Sequence, residues 1–316
     1  MSFLPDYYIG YSTEPDIRYK SSSGGVGTAI IKYLLSQPDY GTSMTFVFNS
    51  DKCVYEPKLI YSFNEYNNCG SVYQDTDTIG FIKDNLGRIN GGIVVTCMPC
   101  QVRAIRRLLD SHGIKSFIIS LCCSGQTTKE GTWLYYKYLG ISKKDVAHLQ
   151  YRGNGWPSGI QITLKDGSII KKENWTYPWT IIHQSMLFRP KRCLFCTYVT
   201  VPYSDVNLAD PWLKEYKEND TLGNSFFAVN TMKGNDVLNA LLSQDLLAVT
   251  KTDNDTFVLS QKWTIESKSR VKKQIKFYQF VARLSSSRLY KRIVTYSPKT
   301  LKMHYRFMKK IHARFE

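Results

Sequence analysis

No stretch of the 316 residues approaches the roughly 18 consecutive apolar side chains that a membrane-crossing helix needs. The opening residues MSFLPDYYIG lack the basic and apolar regions of a secretory leader. Histidine is scarce, at five, and none of the five falls into a pattern that marks a hydrolytic triad. Internal repeats and low-complexity tracts are absent. Acidic residues almost vanish towards the C-terminus: from Glu266 to Glu316 there are 15 Lys or Arg and two Glu, whereas the other 265 residues carry 27 basic and 24 acidic side chains. Most of the net charge of +16 therefore belongs to the tail. The expectation is a cytoplasmic protein whose membrane contact, through residues 266–316, is peripheral and electrostatic.

What is present is globular. The composition is 43% hydrophobic and 22% charged, with 22 tyrosines, and the chain is long enough for a sizeable core. SSSGGVGTAIIKYLL (21–35) reads as a small-residue loop feeding a helix, with Ile30, Ile31, Leu34 and Leu35 on one face. MTFVFN (44–49) and KLIYSF (58–63) have the β-branched and aromatic character of strands. TIGFIKDNL follows as a helix, GIVVT as a buried strand and QVRAIRRLLDSHG as a helix ending at Gly113. FIISL (117–121) is another buried strand, and KEGTWLYYKYLG a helix stopped by Gly140. This alternation implies an α/β fold, a mainly parallel or mixed sheet with covering helices. From 145 to 175 the texture changes to a short-strand insertion around YRGNGWPSG (151–159), and GNSFFAVNTMKGNDVLNALL (223–242) adds a strand, a turn and a helix. The expected division is an α/β domain over 1–262 and a basic helical region over 263–316.

Eight cysteines in a chain of this size and compartment point to metal or redox work rather than disulfides. The two buried strands both run into thiols, GIVVT into Cys97-Met98-Pro99-Cys100 and FIISL into Cys122-Cys123. In open α/β sheets, ligands bind outside the carboxyl ends of strands. Pro99 suits the first turn of the helix that follows. A second close pair, Cys193-x-x-Cys196, stands after Lys191 and Arg192. Thiolates at that spacing can share one metal or cluster. A [4Fe–4S] cube takes four, and Cys193, Cys196, Cys100 and one of Cys122 or Cys123 would supply them. Zinc accepts the same donor set. Cys53 and Cys69 belong to no motif and are expected to be buried small apolar side chains.

The loop SSSGGVG lacks the G-x-G-x-x-G spacing, and alone it reads equally as a plain turn or as a phosphate cradle at a helix N-terminus. In order, however, the motifs resemble one family, the beta subunit of coenzyme F-420 hydrogenase/dehydrogenase. SSSGGVGTAIIKYLL resembles its S-x-G-G-x-x-T-A helix, CMPCQVRAIRRLL its G-x-P-C-Q-x-x-A-x-x-x-x-L, and SLCCSG its C-[HS]-G turn, which selects Cys123. YRGNGWPSG is similar to Y-R-G-x-G-W-P-G, RCLFCTYVTVPYSDVNLADPW to R-C-x-x-C…[AS]-D-[IV]…G-D-x-W, and GNSFFAVNTMKG to G-x-S-x-x-x-V-N-T-x-x-G. The resemblance runs from about residue 8 to 250.

It implies an oxidoreductase subunit holding FAD and a [4Fe–4S] cluster, which passes hydride between a deazaflavin and FAD and single electrons between FAD and the cluster. By position, the cluster ligands are Cys100, Cys123, Cys193 and Cys196. Ser23, Gly24, Gly25, Thr28, Gln101, Asn154, Gly155 and Trp156 are placed near the flavin, and no catalytic acid or base is assigned. Three departures stand out: only about 20 residues precede the glycine loop, so the ferredoxin-like domain of many members is expected to be missing; Ala209-Asp210-Pro211 replaces G-D before the tryptophan; and Cys97 replaces a small residue, as an alternative ligand or an inert neighbour. These departures leave the electron acceptor and substrate open, among them an NAD(P)H-like donor, a redox partner protein or an intermediate of polysaccharide biosynthesis. Arg103, Arg106 and Arg107 are candidates for cofactor phosphates or for a solvated helix face. The competing reading is a non-catalytic zinc-stabilised module that binds an anionic partner, not nucleic acid, through its tail.

Overall fold

The central sheet is parallel in its middle and antiparallel at its flanks. The computed structural model describes residues 4–67, 70–173, 175–218 and 220–315, so the expectation for Cys69 falls outside the described residues. The strands are β1 (Asp6–Ser12), β2 (Thr42–Asn49), β3 (Val54–Ile60), β4 (Ile93–Cys97), β5 (Ser116–Leu121), β6 (Val146–Gln150), β7 (Gly159–Leu164), β8 (Ile169–Glu173), β9 (Val206–Ala209), β10 (Ser225–Val229) and β11 (Leu247–Thr252). Eight form one sheet in the order β11-β1-β10-β9-β5-β4-β2-β3, and β6-β7-β8 form a second, antiparallel sheet. Within the large sheet, β2–β4, β4–β5 and β5–β9 pair in parallel, while the β2–β3 hairpin and the β9–β10–β1–β11 flank are antiparallel. The α/β expectation holds, with a mixed sheet.

Burial explains the pattern. Val94, Val95, Phe117, Ile118 and Ile119 in the middle strands are fully covered on both faces, as parallel strands between helix layers require. The helix Val26–Leu35 packs Ile30, Ile31 and Leu34 on one face, and Val102–Asp110 packs Val102, Ile105 and Leu109 on the other. β1 and β9 escaped the sequence reading because neither has a clear apolar run. The tyrosines of β1 are only half-buried, and β9 is four residues long.

The small sheet and the tail share a core. Val146, Leu149, Tyr151, Ile160 and Ile162 meet Tyr135, Trp179 and Leu301, with Tyr290, Val294 and Tyr305 packed alongside. A further cluster joins Leu194, which lies between the close pair of cysteines, to Val271, Phe277, Tyr278, Val281 and Met308. Cores therefore run across residue 262, from the body into the tail helices Lys262–Lys273, Ile275–Ser286 and Pro298–His312.

His183 sits in the first of these cores among Tyr73, Trp175 and Trp179, with Nδ1 2.7 Å from Thr127 Oγ1. Burial, with the nearby Arg189 charge, pushes its pKa down to about 3. The unfolded chain takes up this proton below about pH 6.5 and the folded protein refuses it, so this stability is complete above 6.5 and is lost as pH falls towards 3. Each pH unit in that window costs up to about 1.4 kcal/mol. Between pH 7 and 5, urea unfolding is expected to show a loss in the wild type about 2 kcal/mol larger than in His183→Gln. Equal losses would place the proton elsewhere.

Candidate functional site

The loops beyond the carboxyl ends of β4, β5 and β9 build one site. After β4 the chain makes a tight turn in which Gln101 Oε1 accepts the Met98 amide at 2.9 Å and Gln101 N donates to Met98 O at 2.9 Å. Pro99 lies in this turn ahead of the helix that starts at Val102, rather than in its first turn. The turn leaves Cys100 exposed while Cys97 stays buried in the core, where desolvation pushes its thiol up to about 12. After β5 the ladder continues one residue, as Cys122 N donates to Leu208 O at 2.6 Å, and Cys123 N then donates to Val199 O at 3.1 Å. Gly125, at φ +134°, lets the Arg189 guanidinium pass beneath it, and a Cβ there would sit 2.8 Å from Nη1. The short helix Lys191–Leu194 carries Cys193, buried, with Cys196 half-buried just beyond.

These segments bring Cys100, Cys123, Cys193 and Cys196 within electrostatic reach of one another. The Cys100 thiol donates to Cys196, and the Cys100 and Cys123 thiols are each held up partly by charge on the others. Cys196 ionises first, because that hydrogen bond, the Lys268 ammonium and the Arg192 guanidinium all favour its thiolate. Cys122, expected as the alternative to Cys123, is pushed up by burial and donates to Gln261 Oε1 at 3.3 Å. Among the described residues, no three of Cys, His, Asp and Glu stand close enough to hold a single metal ion.

Beside the thiols opens a cavity of about 270 Å³, with Cys122 and Cys123 in its wall. The opposite wall is the glycine loop and the first turn of Val26–Leu35, including Ser23, Gly25 and Thr28. The loop stands there because β1 delivers it to the same edge, with Ser12 N bonded to Gly24 O at 2.7 Å. Gly24 itself is packed against protein: a Cβ would lie 2.4 Å from Gly10 O and 2.6 Å from Ser225 N. Gln101 lines a smaller adjoining hollow of about 90 Å³ that shares Thr96 and Met98 with the main cavity.

Asn154, Gly155 and Trp156 stand behind the wall. Gly155 N and Trp156 N donate to Tyr19 O and Thr221 O at 2.9 and 2.8 Å, and the exposed Asn154 side chain reaches Gln150 at 3.2 Å. Trp156 stacks on Trp212, which does line the cavity, with ring centroids 5.4 Å apart. From the same loop, Arg152 faces the cavity. It is 3% exposed, paired with Asp210 Oδ2 at 2.7 Å and bonded to Ser22 O at 2.5 Å, and its Nε has no partner.

Arg152, Asp210 and Lys268 are site residues that sequence reasoning did not single out. A lone arginine inside YRGNGWPSG was the available signal for the first. Lys268, 4% exposed, sits among equally basic neighbours and gave none. The arginines after Cys100 serve other ends: Arg106 pairs with the buried Asp205 at 2.9 Å, Arg103 stacks on Tyr203 at 4.5 Å and Arg107 is exposed, and none of the three lines the cavity.

Residues 91–255, more than half of the chain, match the family model for the C-terminal part of the coenzyme F420 hydrogenase/dehydrogenase beta subunit, and residues 7–38 match the model for its N-terminal part. The chain belongs to the coenzyme F420 hydrogenase/dehydrogenase beta subunit family. A chain of the F420-reducing [NiFe] hydrogenase complex from Methanosarcina barkeri is similar in structure, with a TM-score of 0.64 and 16% identity over 87% of this chain and 94% of that one. At this identity the likeness is one of fold. The family is one of oxidoreductase subunits, and the solved relative is one part of a larger hydrogenase complex.

In metal-free protein near pH 7, Cys196 is expected to be the first thiol alkylated by iodoacetamide, with Cys97 and Cys53 unmodified, because only the thiolate reacts. Lys268→Met should move the Cys196 reaction to higher pH, read by peptide mass spectrometry across a pH series. An unshifted profile would show that the ammonium does not act on that sulfur.

Proposed function

We propose that this member of the family is a flavin- and iron–sulfur-dependent oxidoreductase, with FAD in the cavity and a [4Fe–4S] cluster on Cys100, Cys123, Cys193 and Cys196. The observation that carries this reading is the convergence of four thiols from three separate segments beside a cavity closed by a glycine loop and a helix N-terminus. Four cysteine donors suit a cube. Zinc needs all four sulfurs about 2.3 Å from one ion, a tighter gathering than the described residues make. The positive charges of Lys268, Arg189 and Arg192 surround the thiols and offset the charge that four thiolates would bring.

When bound, a flavin takes two electrons as hydride and releases them singly, and a cluster carries them one at a time. The chain's residues have matching tasks. The amino end of Val26–Leu35, with free backbone N–H groups in its first turn, would bind cofactor phosphate. Arg152 offers an unpaired Nε and a charge held in place by Asp210. Tyr73, Trp175 and Trp212 would cover the ring system and exclude water. The donor is a deazaflavin or an NAD(P)H-like molecule, the other terminus is a redox partner protein, and an intermediate of polysaccharide biosynthesis is a candidate substrate.

Protein purified without oxygen is expected to be brown-yellow, with stoichiometric flavin and four iron and four sulfide per chain. Cys193→Ala and Cys196→Ala should each abolish iron and sulfide while flavin persists in part. Cys97→Ala and Cys122→Ala should leave iron in place. Colourless protein carrying stoichiometric zinc would replace this reading with the zinc-stabilised module.

A further inference from the structure

The last two helices keep one face for the body and leave the other uncovered. In Arg288–Val294, Tyr290 and Val294 pack against the core of Tyr135, Trp179 and Leu187, and in Pro298–His312 Leu301 and Tyr305 join the same core. Polar ties fix the pair. Tyr290 Oη and His304 Nδ1 are 2.9 Å apart, Tyr138 Oη donates to Thr295 O and Ser297 O at 3.1 Å each, and Tyr305 Oη donates to Gln184 Oε1 at 2.9 Å. Since both inner faces rest on one core, both outer faces point away from it on the same side of the molecule.

Those outer faces are apolar stripes set among cations. Leu289, Ile293 and Tyr296, at i, i+4 and i+7, are 70%, 60% and 78% exposed. Met303 and Phe307, at i and i+4, are 69% and 54% exposed. Arg288 and Arg292 border the first stripe, and Lys302, Arg306 and Lys310 the second, all exposed. No Asp or Glu occurs from 267 to 315 to neutralise them.

We infer that this face seats on an anionic lipid leaflet. The large apolar side chains enter the acyl boundary while the cations meet headgroup phosphates, as interfacial amphipathic helices do. The apolar residues protrude one by one between long basic chains, an arrangement a fluid interface can close around and one in which Lys and Arg stems can lie along the apolar boundary. A nucleic acid would satisfy the cations but leave five large apolar side chains in water. No helix among the described residues is long and apolar enough to cross a membrane, so the seating is peripheral.

The test uses the full chain, because the tail helices share cores with the body and truncation would uncover them. Wild-type protein is mixed with sedimenting vesicles of phosphatidylcholine alone or of three parts phosphatidylcholine to one part phosphatidylglycerol, at low and at high salt. The expected result is pelleting with the anionic vesicles at low salt, release at high salt, and none with the neutral ones. Arg292→Gln and Arg306→Gln should each weaken partition about fivefold. Leu289→Ser/Ile293→Ser/Phe307→Ser, with an unchanged far-UV spectrum and melting temperature, should stay in the supernatant. Wild type that remains soluble with anionic vesicles, or a triple variant that pellets as well as wild type, would overturn the inference and leave the face to a protein partner.

Discussion

The buried pair of Arg152 and Asp210 ties the two sheets to one site. Arg152 comes from the loop between β6 and β7 of the small sheet, Asp210 follows β9 of the large one, and the guanidinium also holds Ser22 O of the glycine loop. Three chain segments distant in sequence thus meet at one planar cation, 3% exposed. Taking such a pair out of water is expensive, and removing either partner leaves a bare charge at a cost of about 3–5 kcal/mol. The pair is weak evidence for stability by itself. Its effect is geometric: it sets where the small sheet's loop, and with it the stack of Trp156 on Trp212, stands relative to the cavity.

A second constraint is the direction of the strands. Because β4, β5 and β9 run in parallel, everything that follows them emerges at one edge, and the thiols gather there without any close spacing in sequence. The cost of assembling four ionisable sulfurs in a covered place is offset by cations on other elements. Arg189 and Arg192 flank the cysteine pair from one side, and Lys268 reaches it from the first long tail helix. The tail is therefore part of the site's electrostatics as well as a basic surface. Leu194, between the paired cysteines, is packed by Val271 and Phe277 of the same region.

Much of this was legible in the chain. Apolar runs bounded by turn residues identified β2, β4, β5 and β10 and the helices that cover them, since burial on both faces demands such runs. The strand-end cysteines, the close pair and the glycine loop could be named because each carries its signature within a few residues. β1 and β9 could not, as half-buried tyrosines and a four-residue strand leave no period to read. Asn154, Gly155 and Trp156 were singled out from a motif, yet Arg152 of the same motif is the one that faces the cavity.

By itself the sequence determined the α/β class, the mixed sheet with its short-strand insertion, the family and the basic tail, because these rest on local periodicity, short motifs and charge count. Tertiary structure alone decided which side chains meet: that Arg152 pairs with Asp210, that Cys123 turns towards Cys193 while Cys122 turns to Gln261, that Arg106 is taken by Asp205, and that Lys268 rather than any of its equally basic neighbours is buried beside the thiols. The physical reason is that a charge or a thiol acquires its chemistry from desolvation and from partners far away along the chain, and neither is written in its own neighbourhood of sequence.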